Sequence, residues 1–139
     1  EVRVSFSADD SASVKSGLYV DRDVLFFGDW NGKLYAYDLN KNERLWKYDT
    51  YENQAYPTFG QINTELTIHR SLLFFESRNP EFQVIDINSG QKKWSFVEKE
   101  GGWISGDPLI YCDSLFVGGS DNHKLLAFDP VSGERFWEY

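Results

Sequence analysis

The sequence is poor in the residues that catalytic, metal and nucleic-acid sites use. Its 139 residues include one cysteine, two histidines, four prolines and no methionine. One cysteine cannot form an internal disulfide, and the two histidines have no cysteine or histidine at the spacing of a zinc site. Basic residues number 14 against 22 acidic ones, for a net charge of −8. This balance argues against a surface that binds nucleic acid.

Long apolar runs are also absent. No stretch approaches the roughly 18 residues needed to cross a bilayer, so we predict no membrane insertion. The chain begins at Glu1 rather than at methionine, which leads us to expect that a leader, a tag or an upstream domain preceded it. Aromatic residues, in contrast, make up 17% of the chain, and such a composition favours strands over helices.

Known catalytic and ligand-binding motifs are missing from the residues that are present. No phosphate-binding loop or Gly-x-Ser-x-Gly elbow occurs, and the acidic pairs Asp9-Asp10 and Asp21-x-Asp23 lack the glycine and distal glutamate of a calcium loop. Cys112 follows the strand-like run 109–111 without a nearby histidine, so we expect a small buried or half-buried apolar side chain there. We therefore predict no catalytic, metal-binding or cofactor-binding residue.

The chain repeats itself three times. Segments 36–46, 84–94 and 127–137 align, and in each the tryptophan lies eight residues after the aspartate. Upstream, 71–75 aligns with 114–118 without a gap. A fourth, partial copy opens the chain, because Val4-Ser5-Phe6 matches Trp94-Ser95-Phe96 with Val4 in place of the tryptophan. A period of 20 to 50 residues is the mark of a repeat architecture.

Each repeat predicts four short strands separated by turns. In the third repeat the predicted strands cover 105–111, 115–119, 124–129 and 135 to the end. The sequence Asp-x-x-Ser-Gly in the second and third repeats favours a tight turn, in which the aspartate accepts backbone N–H bonds and glycine takes a positive φ. Asn42 replaces the glycine in the first repeat, and asparagine tolerates the same conformation.

The pattern resembles the repeat of the pyrroloquinoline-quinone-type β-propellers, whose blades carry a tryptophan-docking motif. The resemblance implies an all-β fold, a partial β-propeller of about three four-stranded antiparallel blades plus a leading strand. The units would cover 11–50, 60–98 and 103–139 of a single repeat domain, with 1–10 as the outer strand of a preceding or closing blade. In this family the aspartates brace the turn between the third and fourth strands, and the tryptophans dock between blades. The matching residues are Asp38, Trp46, Asp86, Gly90, Trp94, Asp129, Gly133 and Trp137.

The resemblance also directs attention to one face of the propeller, where two classes of loop would open. These loops hold aromatic, amide and basic side chains, which suit a protein or peptide partner. The alternative is that Trp30 and Trp103 only cover the ends of the core. The candidate partner surface consists of Trp30, Tyr51, Asn53, Tyr56, Arg78, Trp103 and His123.

Three functional hypotheses follow from this resemblance. The first is a non-catalytic scaffold for protein–protein interaction or assembly, either a fragment of a larger propeller or a protomer that closes a ring by association. The second is a fragment of a quinone-dependent dehydrogenase whose cofactor ligands lie outside this chain; the vicinal cysteine pair of that group is absent here. The third is a structural fragment that only self-associates. Most propellers of this family are periplasmic, extracellular or lumenal, so we expect an extracytoplasmic location.

Overall fold

The computed structural model describes residues 12–51, 61–78, 80–98, 103–120 and 123–139, which form strands and turns without a helix. Within these residues, no helix is therefore available to cross a membrane. Twelve strands lie in these ranges: β1 Tyr19–Asp21, β2 Val24–Gly28, β3 Lys33–Asp38, β4 Glu43–Asp49, β5 Thr67–His69, β6 Leu72–Phe75, β7 Glu81–Asp86, β8 Lys92–Val97, β9 Ile104–Tyr111, β10 Ser114–Gly119, β11 Leu125–Phe128 and β12 Arg135–Glu138.

The strands form three antiparallel sheets of four strands each, in the order in which they follow along the chain. We call β1–β4 blade 1, β5–β8 blade 2 and β9–β12 blade 3. The predicted all-β fold with three four-stranded antiparallel blades is thus confirmed. The predicted leading strand at 1–10 lies outside the described residues.

Each blade opens with a two-residue hairpin turn that contains no glycine. Both residues of the turn have positive φ in all three cases, which is the geometry of a type I′ turn. The turns are Arg22-Asp23, Arg70-Ser71 and Cys112-Asp113.

Two expectations were wrong at these turns. Cys112 is exposed in its turn, rather than buried in a strand, because the chain reverses one residue earlier than its apolar pattern indicates. The gap-free sequence alignment of 71–75 with 114–118 is also wrong by one residue. Ser71 lies in a turn, whereas Ser114, with which it was aligned, begins β10. The residues that pair with the repeated alanine or valine of the third strand are Phe26, Phe74 and Phe116.

The blades pack face to face through alternate residues of their inner strands. Side chains from one face of blade 1 join the opposite face of blade 2 in one apolar cluster, which includes Phe26, Leu34, Leu73 and Ile85. The second face of blade 2 packs in the same way on blade 3. Because successive strand residues point to opposite faces, a blade needs a neighbour on each side to bury both.

The repeated tryptophans lie across these junctions. Trp46 of blade 1 donates its Nε1–H to the carbonyl oxygen of Ile87 in blade 2 at 2.8 Å. Trp94 of blade 2 donates to the carbonyl oxygen of Pro130 in blade 3 at 3.0 Å. Trp137 occupies the same place in blade 3 and is 44% exposed.

The turns that receive the tryptophans contain the repeated aspartates and glycines. Oδ1 of Asp86 accepts bonds from the backbone N–H groups two and three residues later, and Asp38 and Asp129 accept the equivalent pairs. These bonds lower the pKa of all three carboxyls. Gly90 and Gly133 have φ of 69° and 74°. A Cβ on either glycine would come within 2.7 Å of the docked indole.

Candidate functional site

The strand order divides the connections between two ends of the blades. The turns within the first and the last hairpin of each blade lie at one end, which we call the hairpin face. The connections from the second to the third strand, and from each blade to the next, lie at the other end, which we call the loop face. The loop face includes 29–32, 76–78, Pro80 and the described residues that lead into β5 and β9.

The blade 1 part of the loop face is organised by Asp29, which is fully buried. Its Oδ1 accepts hydrogen bonds from the backbone N–H groups of Asn31 and Lys33, and its Oδ2 accepts one from the hydroxyl of Tyr35. The next residue, Trp30, is 42% exposed. The side chain of Asp29 therefore fixes the loop that carries Trp30.

Tyr51 lies beside this loop, where the chain leaves blade 1. Its backbone N–H donates to Oδ1 of Asp49 at 2.9 Å. Burial, together with the nearby charges of Asp49 and Asp29, raises the pKa of the Tyr51 hydroxyl. The phenol is therefore un-ionised at neutral pH and can donate a hydrogen bond.

A cavity of about 510 Å³ opens at the loop-face end of the junction between blades 2 and 3. It is lined by the following residues: Asn63, Thr64, Glu76, Arg78, Trp103, Ile104, Ser105, Gly106 and Ser120. Its lining combines an indole, a carboxyl, a guanidinium and several hydroxyl or amide groups. A concave site with a few convergent polar groups is the usual form of a binding pocket.

Glu76 is the acidic side chain of this cavity, and its residue is only 5% exposed. Oε1 accepts a hydrogen bond of 2.6 Å from the backbone N–H of Arg78. Burial raises the pKa of the Glu76 carboxyl to about 7, against the opposing effects of this hydrogen bond and of the Arg78 charge. The negative charge of Asp107 adds to the rise. The Glu76 carboxyl therefore exchanges its proton closer to neutral pH than an exposed glutamate does.

The Arg78 guanidinium at the mouth of the cavity bonds to another side chain. Its Nη1 donates to Oε1 of Gln61 at 3.3 Å. Gln61 precedes Ile62, whose backbone N–H bonds to the carbonyl oxygen of Asp29. This chain of contacts connects the cavity with the Trp30 loop of blade 1.

The structure brings only part of the predicted partner surface into one site. Arg78 and Trp103 line the cavity, whereas Trp30 and Tyr51 lie together around Asp29 on blade 1. His123 is exposed at the entry to β11, with a φ of 55°. Asn53 and Tyr56 lie outside the described residues.

Glu76 is a site residue that the sequence prediction missed. Both other repeats have glycine where Glu76 stands: Gly28 follows the second-strand residue that matches Phe75, and Gly118 follows its counterpart in blade 3. The repeat alignment contains this signal, because a carboxyl in place of glycine at a packed position is a departure that needs a reason.

The charged groups of the described residues do not form a metal site. Within the described ranges, no three histidine, cysteine, aspartate or glutamate side chains are grouped as metal ligands. Calcium takes six to eight oxygen ligands, and Glu76 supplies the cavity's one carboxylate. The described part of the chain therefore does not fit the calcium that accompanies a quinone cofactor.

Comparison with known proteins identifies the family. The family profile described as "Outer membrane protein assembly factor BamB" matches residues 3–139. The chain belongs to this family. Together with its structural neighbours, this match confirms the pyrroloquinoline-quinone-type propeller repeat inferred from the sequence. No curated protein matches the chain.

Solved structures share the fold at low sequence identity. BamB from Moraxella catarrhalis is 20% identical with a TM-score of 0.71, and the match covers 95% of this chain and 38% of that one. Quinohemoprotein alcohol dehydrogenase ADHIIG from Pseudomonas putida HK5 is 18% identical with a TM-score of 0.79, over 96% of this chain and 21% of that one. The computationally designed Ika4 protein is 13% identical with a TM-score of 0.75, over 99% and 78%.

The matches cover only part of the BamB and dehydrogenase chains. The chain spans between a fifth and two fifths of the BamB and dehydrogenase chains. At these identities the likeness concerns the fold, which an assembly factor, a dehydrogenase and a designed protein have in common. The same fold therefore occurs in proteins of different function.

Proposed function

We propose that this chain is a non-catalytic propeller scaffold that binds a protein partner through its loop face. The observation that carries the proposal is that two groups of aromatic and polar side chains, Trp30 with Tyr51 and Trp103 with Arg78, are held on one face by stacked sheets. Rigid aromatic side chains contribute much of the binding energy of protein interfaces. The buried bonds of Asp29 fix part of this surface before a partner arrives.

The repeated motif has a structural role in this proposal. Asp38, Asp86 and Asp129 shape the turns, Gly90 and Gly133 leave room for an indole, and the tryptophans join one blade to the next. We propose units 11–50, 60–98 and 103–139 for the blades, with the docked tryptophans holding the loops of neighbouring units in register. The partner surface then includes Asn53, Tyr56 and His123 together with the four residues named above.

Similarity to the BamB family supports a protein partner and an extracytoplasmic location, because the family is described by its part in assembly at the outer membrane. The family relationship does not identify the partner. Association of this chain with a second copy through blade 3, as a step toward a closed ring, belongs to the same proposal.

Site-specific photo-crosslinking in the native cell tests the scaffold proposal. A photo-reactive amino acid at Trp103 of the full-length gene product is expected to give a discrete crosslinked species of higher mass. The same amino acid at Val131, an exposed residue of the hairpin face, serves as the matched control. Equal crosslinking from both positions, or none from Trp103, Trp30 and Tyr51, would contradict a partner surface on the loop face.

The alternative function is a fragment of a pyrroloquinoline-quinone-dependent dehydrogenase, which the fold shared with quinohemoprotein alcohol dehydrogenases favours. Thermal unfolding of the full-length protein with and without pyrroloquinoline quinone and Ca²⁺ separates the two. A scaffold shows no shift in Tm. A saturable rise in Tm that requires both additions would favour the dehydrogenase, because a ligand that binds the folded state stabilises it.

A further inference from the structure

The repeated blade structure does not require a buried carboxyl at the position of Glu76, whose Oε1 accepts a hydrogen bond within its own loop. Gly28 and Gly118 occupy the matching position in the other two repeats, and a Cβ on Gly28 would lie 2.5 Å from Ile62. A blade of this chain therefore forms without a carboxyl at this place. Burying an ionisable group is costly unless it is paired, so a group that packing does not need points to binding.

Among the described residues that line the cavity, Arg78 carries the one positive charge near Glu76. The backbone N–H of Arg78 bonds to Oε1, but the Arg78 guanidinium donates to Gln61. Asp107, the other charged group that acts on Glu76, is negative, and its Oδ1 accepts the backbone N–H of Glu65 at 2.8 Å. An incoming cation would add to the positive charge of Arg78, which already acts on the carboxyl.

The other side chains of the cavity also suit a cationic group. Trp103 lines the same cavity as Glu76, and an indole is the aromatic ring that attracts an ammonium or guanidinium most strongly. Ser105 and Ser120 add hydroxyl groups. Gly106, at a φ of 97°, has no heavy atom within 4 Å of the place of a Cβ, so the wall of the cavity stays open there.

We propose that the Glu76 cavity binds the side chain of a lysine or arginine in a peptide segment of the partner. The inference rests on the proposed scaffold function and assigns chemistry to one part of the loop face. The carboxylate pairs with the cation, and the indole of Trp103 packs against the aliphatic and charged parts of the same side chain. The net charge of −8 favours the approach of a basic segment.

Binding should depend on pH through the ionisation of Glu76. A cation is attracted by the ionised carboxyl, and the charges that face this carboxyl are those of Arg78 and Asp107. Because burial raises the pKa of this carboxyl to about 7, the affinity for a basic side chain should fall between about pH 8 and pH 5. Below neutrality, binding should be accompanied by release of a proton.

A short blocked peptide with one lysine among glycines is the probe, and the same peptide with acetyl-lysine is its control. Binding to the full-length protein is followed by NMR shifts of the Trp103 indole and by calorimetry. We expect the lysine peptide to shift this resonance at millimolar concentration, and the acetylated peptide to leave it unchanged. Glu76→Gln should weaken binding about tenfold or more, whereas Glu134→Gln on the hairpin face should leave it unchanged.

Several results would overturn the assignment. The first is equal binding of the two peptides, and the second is unchanged binding by a Glu76→Gln variant that remains folded. The third is preferential binding of a glutamate peptide, which would assign the site to Arg78 instead. Trp103→Leu provides a second variant, and we expect it to weaken binding of the lysine peptide several-fold. If the lysine peptide does not bind while crosslinking from Trp103 persists, the scaffold proposal stands and the cavity assignment is wrong.

Discussion

The glycines that lie against the tryptophans are constrained both by their backbone conformation and by packing. Gly133 has a φ of 74°, and a Cβ there would approach Trp94 to 2.7 Å. The first repeat has Asn42 at this position, with a φ of 58°, and its sequence has Val4 where the preceding tryptophan would stand. Glycine thus occurs in this chain where a tryptophan precedes it by one repeat.

Replacement of Gly133 by alanine should therefore destabilise the chain. Left-handed backbone costs an alanine about 1–2 kcal/mol, and the overlap with the indole adds about 1–3 kcal/mol. Gly106→Ala is the control, because it has a positive φ without a neighbour within 4 Å. The free energies of unfolding come from urea titrations. An equal loss in the two variants would show that the indole contact contributes nothing.

Glu76→Gln should change the pH dependence of stability. The pKa of this carboxyl is raised from 4.5 to about 7 in the folded protein, so the folded state holds an extra proton between these values. Its favourable contribution is complete below about pH 4.5 and is lost as the pH rises through 7. The variant should be more stable than the native chain by about 1–3 kcal/mol at about pH 8. At pH 4.5 the two should unfold at the same urea concentration, and an offset independent of pH would contradict this account.

Single residues also show where sequence interpretation succeeds. The Asp-x-x-x-Gly turns follow from residue chemistry, because an aspartate can accept the N–H groups of the turn and glycine permits a positive φ. The Cys112-Asp113 turn carries no such marker, since it has positive φ at two residues that are not glycine. Its apolar neighbours made it resemble the continuation of a strand.

At the scale of elements, Trp46 and Trp94 each donate a hydrogen bond to the next blade. The ring of Trp94 lies 6.1 Å from that of Phe128 in blade 3 and 6.4 Å from that of Phe74 in its own blade. Trp137 contacts Phe116 within blade 3, with ring centroids 5.9 Å apart. The same residue type at the same place in the repeat thus has different surroundings.

This difference predicts unequal effects of two identical substitutions. Trp94→Ala should cost about 3–5 kcal/mol, the range for a large aromatic side chain in a core, because the partly buried Trp94 packs against the apolar cluster between blades 2 and 3. Trp137→Ala should cost about 1 kcal/mol in the monomeric 139-residue chain, because nearly half of the side chain already contacts solvent. Urea unfolding at low protein concentration measures both. Similar losses would mean that Trp137 is buried in solution by a contact outside the described residues.

The period of the repeats was enough to predict the sheets but not their register. The spacing of the Asp and Trp residues located the third and fourth strands of each blade. The sequence alignment did not detect the one-residue offset between Ser71 and Ser114. Runs of leucine, phenylalanine and valine match almost equally well when one run is shifted by a residue. Backbone pairing resolves the shift, since a slip of one residue would turn every side chain to the other face.

At the scale of the molecule, the three blades use their faces unequally. Blade 2 has neighbours on both sides. One face of blade 1 covers blade 2. The matching face of blade 3 carries a row formed by Leu109, Phe116 and Trp137. In this row Leu109 is 60% exposed. Exposed apolar faces of this kind promote association.

The 139-residue chain should therefore associate through blade 3. We expect light scattering to give a mass above 16.1 kDa that rises with concentration, and Leu109→Lys to return it to 16.1 kDa. Lysine removes apolar area and places two like charges opposite each other in a symmetric contact. Val97→Lys is the control, because Val97 is 52% exposed on β8 and lies outside this face. A monomer at high concentration, or equal effects of the two lysines, would show that the face of blade 3 does not pair with a second copy.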